Sequence, residues 1–333
     1  MIRRTLLLVV IFLTASIARA AGTLDVYFID VEGGQATLFV APSGESMLVD
    51  TGWAGFNGRD ADRIMAAAKL AGLKQIDYLV VTHYHLDHVG GVPQLAARIP
   101  IRNFIDHGPS VETDPQAQRL YQAYVDTRSK GNQILAKPGD RIPIQGIDVQ
   151  VLTAAGDQIF RPLPGAGQPN PLCQTVSRRE ADPSENARSI GILITFGKFR
   201  MIDLGDLTWN KEYELVCPMN RVGTVDVYLS THHGLDQSNS PVIVDALHPR
   251  VAIMNNGAHK GGSPEAWQTI HNSPGLQDLW QLHYSVQGGQ ANNTADSFIA
   301  NRDQQDGNWI KLSASSDGHF SVTNSRNGLV KTY

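Results

Sequence analysis

Long apolar runs are scarce in this 333-residue chain, and that scarcity sets the first limit on what it is. One such run, Leu6 to Leu13, lies at the amino terminus; nothing after it is apolar over the ~20 residues that a bilayer-spanning helix needs. Positive charge is in short supply too. Lys and Arg number 28 against 32 Asp and Glu, for a net charge of −4. A stable nucleic-acid coat needs clustered Lys and Arg against phosphate, so that class is excluded. A nuclease is not, because a metal ion can neutralise phosphate locally. Cysteine is nearly absent: Cys173 and Cys217 are the whole supply, so one bridge is the most they can form, and spacing leaves its geometry open. There is no repeat of solenoid period. No serine or cysteine stands with histidine in a pattern that points to a covalent nucleophile.

The amino terminus has the order of a secretory leader. Met1-Ile2-Arg3-Arg4 is basic, the apolar run follows, and Ala18-Arg19-Ala20 offers a small-x-small cleavage site. The expected mature chain begins at Ala21 and is secreted or periplasmic, where a disulfide persists. Losing Arg3, Arg4 and Arg19 removes three positive charges and takes the net charge to −7. About 310 residues then remain, enough for one large α/β domain with a well-buried core or two small ones.

What the chain does have is histidine in one place. Thr82-His83-Tyr84-His85-Leu86-Asp87-His88-Val89-Gly90-Gly91 follows Asp77 to Val81, whose β-branched and aromatic content reads as a buried strand. Three imidazoles and a carboxylate crowded into six residues would repel and desolvate one another without a cation among them. Both groups are ligands for zinc and similar divalent ions.

The pattern His83-x-His85-x-Asp87-His88 resembles the signature of the metallo-β-lactamase superfamily. The resemblance implies that the first two histidines help hold one metal and the Asp-His pair a second. It extends along the chain. Strands at 24–31, 36–41 and 46–50 form a meander ending in Asp50-Thr51-Gly52, where the family's aspartate supports the histidine loop from beneath. Asn57 to Leu73 reads as an amphipathic helix leading back to the strand before the loop, a parallel βαβ unit. The loop then sits at the carboxyl end of a strand, where open α/β sheets place their ligands. Ile101 to Ile105 is another strand, ending at Asp106-His107-Gly108, which makes His107 a candidate neighbour of the site. Residues 114–130 have helical composition, and 141–153 read as a hairpin about Gly146. From 154 to 188 prolines, glycines and scattered charge replace any core pattern; this long loop is expected to be a lid over the metal site.

Further on, Gly205-Asp206 matches the family's bridging aspartate, whose two oxygens each serve one ion. His232-His233-Gly234 follows the strand 225–231, and His232, the first residue past it, is favoured over His233 as a ligand. A histidine common in the family four residues before Ser189 is replaced by Glu185, which is left as an oxygen-ligand candidate. Glu185-Asn186-x-x-Ser189 and the doubled histidine look like the hydrolase domain of bacterial DNA-uptake channel proteins. His259 lies in a glycine-rich turn expected near the cleft. Residues 309–315 and 320–324 are expected as a hairpin on the outer edge of the second sheet.

The resemblance thus implies an α/β fold, the four-layer αββα sandwich, as a single domain over 21–333. It implies a metal-dependent hydrolase in which His83, His85, Asp87, His88, Asp206 and His232 hold two divalent ions, zinc first with manganese or iron as alternatives. A metal-activated hydroxide, oriented by Asp87, attacks a small-molecule or nucleic-acid phosphodiester; a lactone, ester or β-lactam carbonyl is the alternative. Tyr84, His107 and His259 are the candidates for touching substrate. A secreted metal-stabilised binding module is the non-enzyme alternative, but a structural zinc site needs neither an open position nor a bridging carboxylate.

Overall fold

A computed structural model describes residues 22–304 and 306–333; the leader expected over 1–20 lies outside the described residues. Among these residues, no helix is long and apolar enough to cross a membrane. The chain opens with a meander, β1 (Leu24–Phe28), β2 (Thr37–Val40) and β3 (Ser46–Val49), then α1 (Arg59–Leu70) and β4 (Ile76–Val80). Two short helices, α2 (Leu86–Val89) and α3 (Val92–Ala96), lead to β5 (Ile101–Asp106), α4 (Pro115–Arg128) and β6 (Asn132–Leu135). The second half begins with β7 (Arg141–Ile142), β8 (Asp148–Ala154) and β9 (Asp157–Gln158), followed after the long loop by β10 (Gly191–Phe196) and β11 (Phe199–Asp203). It continues through α5 (Trp209–Val216), β12 (Val227–Leu229), α6 (Pro241–Leu247), β13 (Val251–Met254), α7 (Pro264–His271), β14 (Asp278–His283) and β15 (Ile299–Asn301). The chain ends in β16 (Ile310–Ala314), β17 (Phe320–Asn324) and β18 (Val330–Thr332).

These strands form two nine-stranded sheets, ordered β18-β17-β16-β1-β2-β3-β4-β5-β6 and β15-β14-β13-β12-β11-β10-β8-β7 with β9 on β8. Their inward side chains, such as Phe28, Phe39, Met201, Ile253 and Trp280, make one core shared by both sheets. A second core joins α1, α3 and α4 to the first sheet, and a third joins α5, α6 and α7 to the second. That is the four-layer αββα sandwich. The helices cover the sheets because their apolar residues recur at helical spacing: Ala61, Ile64, Ala67 and Ala68 put one buried face of α1 on the first sheet. Asp60 and Asp62 in its first turn and Lys69 in its last complement the helix dipole.

The terminal hairpin departs from expectation. β16 pairs antiparallel with β1, so it extends the first sheet and not the second. Register explains the choice: Leu24, Val26 and Phe28 lie opposite Ala314, Leu312 and Ile310, continuing one apolar face.

β3 to β6 are parallel neighbours, as are β11 to β15. The carboxyl ends of both parallel runs therefore lie at one end of the sandwich. Asp50 follows β3, the histidine loop β4, Asp206 β11, and His232 and His233 β12.

Candidate metal centre

Asp50 sits at the turn after β3 in a left-handed conformation (φ 60°), which aspartate tolerates better than most residues. From there its carboxylate accepts from Thr82 N at 2.8 Å, Thr82 Oγ1 at 2.6 Å and His88 Nδ1 at 2.7 Å. The expected supporting role is what the geometry gives it. The bond to His88 keeps a proton on Nδ1, so that Nε2 is the nitrogen available to a cation. Thr82 Oγ1, having donated to Asp50, faces His83 Nδ1 at 3.1 Å and leaves His83 Nε2 available likewise. The loop must lie close to its support: a Cβ on Gly91 would stand 2.2 Å from Thr51 O.

Four donors converge above this base: Asp87, His88, Asp206 and His233, all buried. His88 Nε2 lies 3.2 Å from Asp87 Oδ2, 3.1 Å from Asp206 Oδ2 and 3.2 Å from His233 Nε2. His233 Nε2 lies 3.2 Å from Asp87 Oδ2 and 3.3 Å from Asp206 Oδ1. Donor atoms this far apart have the spacing of ligands about 2 Å from one ion, the distance at which zinc binds nitrogen and oxygen. Asp206 Oδ1 is also buried without a hydrogen-bond partner, an acceptor a cation would satisfy. The residues present fit a divalent ion.

His233 thus takes the place expected of His232. Both occupy the tight turn 231–234 with left-handed backbone, φ 54° and 56°, which turns the second imidazole inward beside Asp87 and the first toward a cleft. His232 Nε2 still faces Asp206 Oδ2 at 3.4 Å. A neighbouring position is less complete. His83 Nε2 and His85 Nδ1 are 3.1 Å apart, and His83 Nε2 is 3.9 Å from Asp206 Oδ2. Glu185 does not complete it. Its carboxylate faces away, accepting from Val111 N at 2.7 Å and Tyr84 N at 3.3 Å and pairing with His107 Nε2 at 2.9 Å. Glu112 lies instead on the outer side, 3.5 Å from His85 Nε2.

The substrate candidates divide. His107 and Tyr84 are buried; His107 is held by Glu185, and the Tyr84 hydroxyl donates to Gly108 O at 2.5 Å. Neither is among the side chains that converge on the centre, and Tyr84 lines a separate cleft with His85. His259 is exposed on its turn, while the adjacent Lys260 reaches in, its ammonium bonded to Asp87 Oδ2 and 5.0 Å from the Trp53 ring centre. Lysine is no zinc-motif residue, and its contact spans 173 positions, so only the glycine-rich turn hinted at it.

The long loop is less open than expected. The Cys173–Cys217 disulfide ties it to the end of α5, and Arg179 stacks 3.7 Å above the Trp209 ring while its N–H donates to Asn210 Oδ1. Its 179–186 portion walls a cleft of about 290 Å³ with Thr208, Trp209 and His232.

Electrostatics follow the same grouping. Burial would raise the Asp87 carboxyl, but the His88 and His233 imidazoles and Lys260 hold it well below the usual range. Burial likewise opposes ionisation of Asp206, and His233, His88 and His232 overcome it. His88 is the reverse case: burial disfavours its charge, yet Asp206, Asp87 and Asp50 raise it well above an ordinary histidine. Burial keeps His83 neutral, with His88 adding to the effect.

The family model of the metallo-beta-lactamase superfamily matches residues 30–177, which include Asp50 and the histidine loop. ComE operon protein 3 of Bacillus subtilis is 25% identical over 187 residues, 56% of this chain and 20% of that protein. Hydroxyacylglutathione hydrolase of Klebsiella pneumoniae subsp. pneumoniae is 30% identical over 95 residues, 27% of this chain and 31% of that protein. The matches therefore span a fifth and under a third of these relatives' own lengths. Among solved structures, the metallo-beta-lactamase fold protein YhfI from Bacillus subtilis aligns over 78% of this chain and 95% of its own, with a TM-score of 0.46 and 12% identity.

Proposed function

We propose that this chain, a relative of the metallo-β-lactamase superfamily with its four-layer fold, is a metal-dependent hydrolase acting on a phosphodiester. The observation that carries the reading is the placement of Asp206. Its Oδ1 faces His233, and its Oδ2 faces His88, His232 and, farther off, His83. A carboxylate so surrounded would be shared between two neighbouring cation positions. Divalent ions held there lower the pKa of water and stabilise charge developing on oxygen.

The chain's own residues set the rest. Asp87, ionised and with Oδ2 bonded to Lys260, is placed to orient the attacking water. Lys260 is held in place by its turn, where Gly257 N donates to Lys260 O at 2.8 Å and Gly262 N to His233 O at 2.9 Å. Its ammonium meets an anionic phosphoryl oxygen as substrate enters. The cleft beside His232 receives one of the ester groups, with Arg179 and Trp209 in its wall. The two metal positions are unequal in this reading. The one with four donors binds tightly, whereas the His83–His85 position has two imidazoles and a share of Asp206.

A second reading keeps the centre and changes the target to an acyl carbon; the similarity to hydroxyacylglutathione hydrolase favours it. A panel with zinc- or manganese-loaded protein separates them. The phosphodiester reading expects turnover of a bis-aryl phosphate and single-stranded DNA. Turnover confined to an acyl lactone or nitrocefin selects the acyl reading. No turnover at full metal content selects a binding module.

A further inference from the structure

Three more ligand-type side chains converge away from the hydrolytic centre. Asp30 and Glu32 follow β1 in the first sheet, and His283 closes β14 in the second; one donor atom from each lies within 4.8 Å of the others. His283 Nε2 hydrogen-bonds to Asp30 Oδ1 at 2.6 Å and faces Glu32 Oε2 at 3.6 Å. Arg63 Nη1 donates to Asp30 Oδ2 at 2.5 Å and stops 3.6 Å from Glu32 Oε1.

Glu32 is the member these bonds do not explain. Its side chain is 8% exposed, yet among the described residues neither oxygen has a hydrogen-bond partner. A buried carboxylate left so is costly. Arg63 does not meet the need, because its guanidinium is committed to Asp30 and to Asp306 O. Burial and the charge of Asp30 push the Glu32 carboxyl above its ordinary range, against His283, Arg63 and Arg59, which draw it down.

We propose that Asp30, Glu32 and His283 form a second divalent-cation site, separate from the hydrolytic centre, that links the two sheets. The 3.6 Å between Glu32 Oε2 and His283 Nε2 is a span two donors can have on one ion bound at about 2.0–2.2 Å to each. Two carboxylates and an imidazole suit zinc or manganese. The ion needs His283 Nε2 bare, so the proton that Nε2 now shares with Asp30 Oδ1 moves to Nδ1, which is buried without a partner, and the pair moves apart. Arg63 stays on the far oxygen of Asp30, the usual outer partner of a ligating carboxylate. The site adjoins the hydrolytic centre. Gly33, next to Glu32, packs so tightly on Lys260 that an added Cβ would lie 2.9 Å from its carbonyl oxygen.

Equilibrium dialysis against zinc or manganese, with metal counted per folded chain, tests the site. Glu32→Gln is expected to hold one equivalent fewer than the unaltered chain and to gain less in Tm when metal is added. Equal metal content in the two proteins would overturn the proposal. If Glu32→Gln does not fold, the double variant His88→Ala/Asp206→Ala, which removes a ligand from the four-donor position and the carboxylate shared by both positions of the main centre, gives the second measurement. It is expected to retain one equivalent, and retention of none would overturn the site. Loss of the main centre alone shows in this double variant and leaves the Glu32 comparison unaffected.

Discussion

Two histidines of the centre, His88 and His83, have one ring nitrogen engaged from beneath and present the other to the site. Asp50 accepts from His88 Nδ1 and from Thr82, which in turn faces His83 Nδ1, so one carboxylate fixes two rings. Asp50→Asn is expected to lower metal affinity about 10–100-fold with the fold intact, by analogy with other outer partners of metal-bound histidine. Competition with a chromophoric chelator measures this; an unchanged affinity would count against the role. His107 behaves differently. His107→Ala should leave KM and metal content unchanged and lower stability by about 1–3 kcal/mol, because Glu185 loses a buried partner. Thermal melts run beside the kinetics separate the two effects. The histidine loop was legible in the sequence because four ligand-type side chains crowd into six residues. The directions of Tyr84, His107 and Glu185 were not: the end of a strand locates a residue without saying which way its side chain points. Nor did the order of His232 and His233 reveal that left-handed backbone turns the second one inward.

Between elements, the loop bearing those two histidines is anchored from α5. Glu212, fully buried there, accepts from Asn239 N and Ser240 N, each at 2.8 Å, just ahead of α6. Burial lifts its carboxyl from 4.5 to about 7 against those hydrogen bonds. The folded chain therefore binds this proton more tightly than the unfolded one. The stabilisation is full below about pH 4.5, declines as pH rises and is gone above about pH 7, up to about 3 kcal/mol in all. The Tm of the unaltered chain minus that of Glu212→Gln, whose side chain does not titrate, should fall across this window; a flat difference would contradict the assignment. Cys173 and Cys217 close 44 positions of chain, a constraint worth about 2–4 kcal/mol. Replacing both by Ser should lower Tm and leave metal content unchanged. Strands and helices with a clear period could be read from the sequence, including the βαβ unit around α1. The long loop could not, because its order comes from the disulfide and from side chains such as Arg179 and Asn210, which leave no period. The sequence does not show which sheet the terminal hairpin joins, because its partner β1 lies nearly 300 positions away.

Across the whole molecule, two half-sites meet. The first sheet brings Asp50 and the histidine loop; the second brings Asp206, His232, His233 and Lys260. Neither half alone surrounds an ion, so the centre exists only when both sheets share their core. In the proposed reading, the acidic balance of the chain leaves attraction of an anionic substrate to local groups, Lys260 and a metal held at the centre, and not to a broad basic surface. The most direct test is the hydrolysis of a bis-aryl phosphate by Asp206→Ala, measured beside the unaltered chain with metal content determined on both. Loss of the carboxylate shared between the two positions should remove metal and lower the rate by at least about 10²-fold, since nucleophile activation and charge stabilisation are lost together. A folded Asp206→Ala protein that keeps its metal and hydrolyses within about threefold of the unaltered rate would contradict the account.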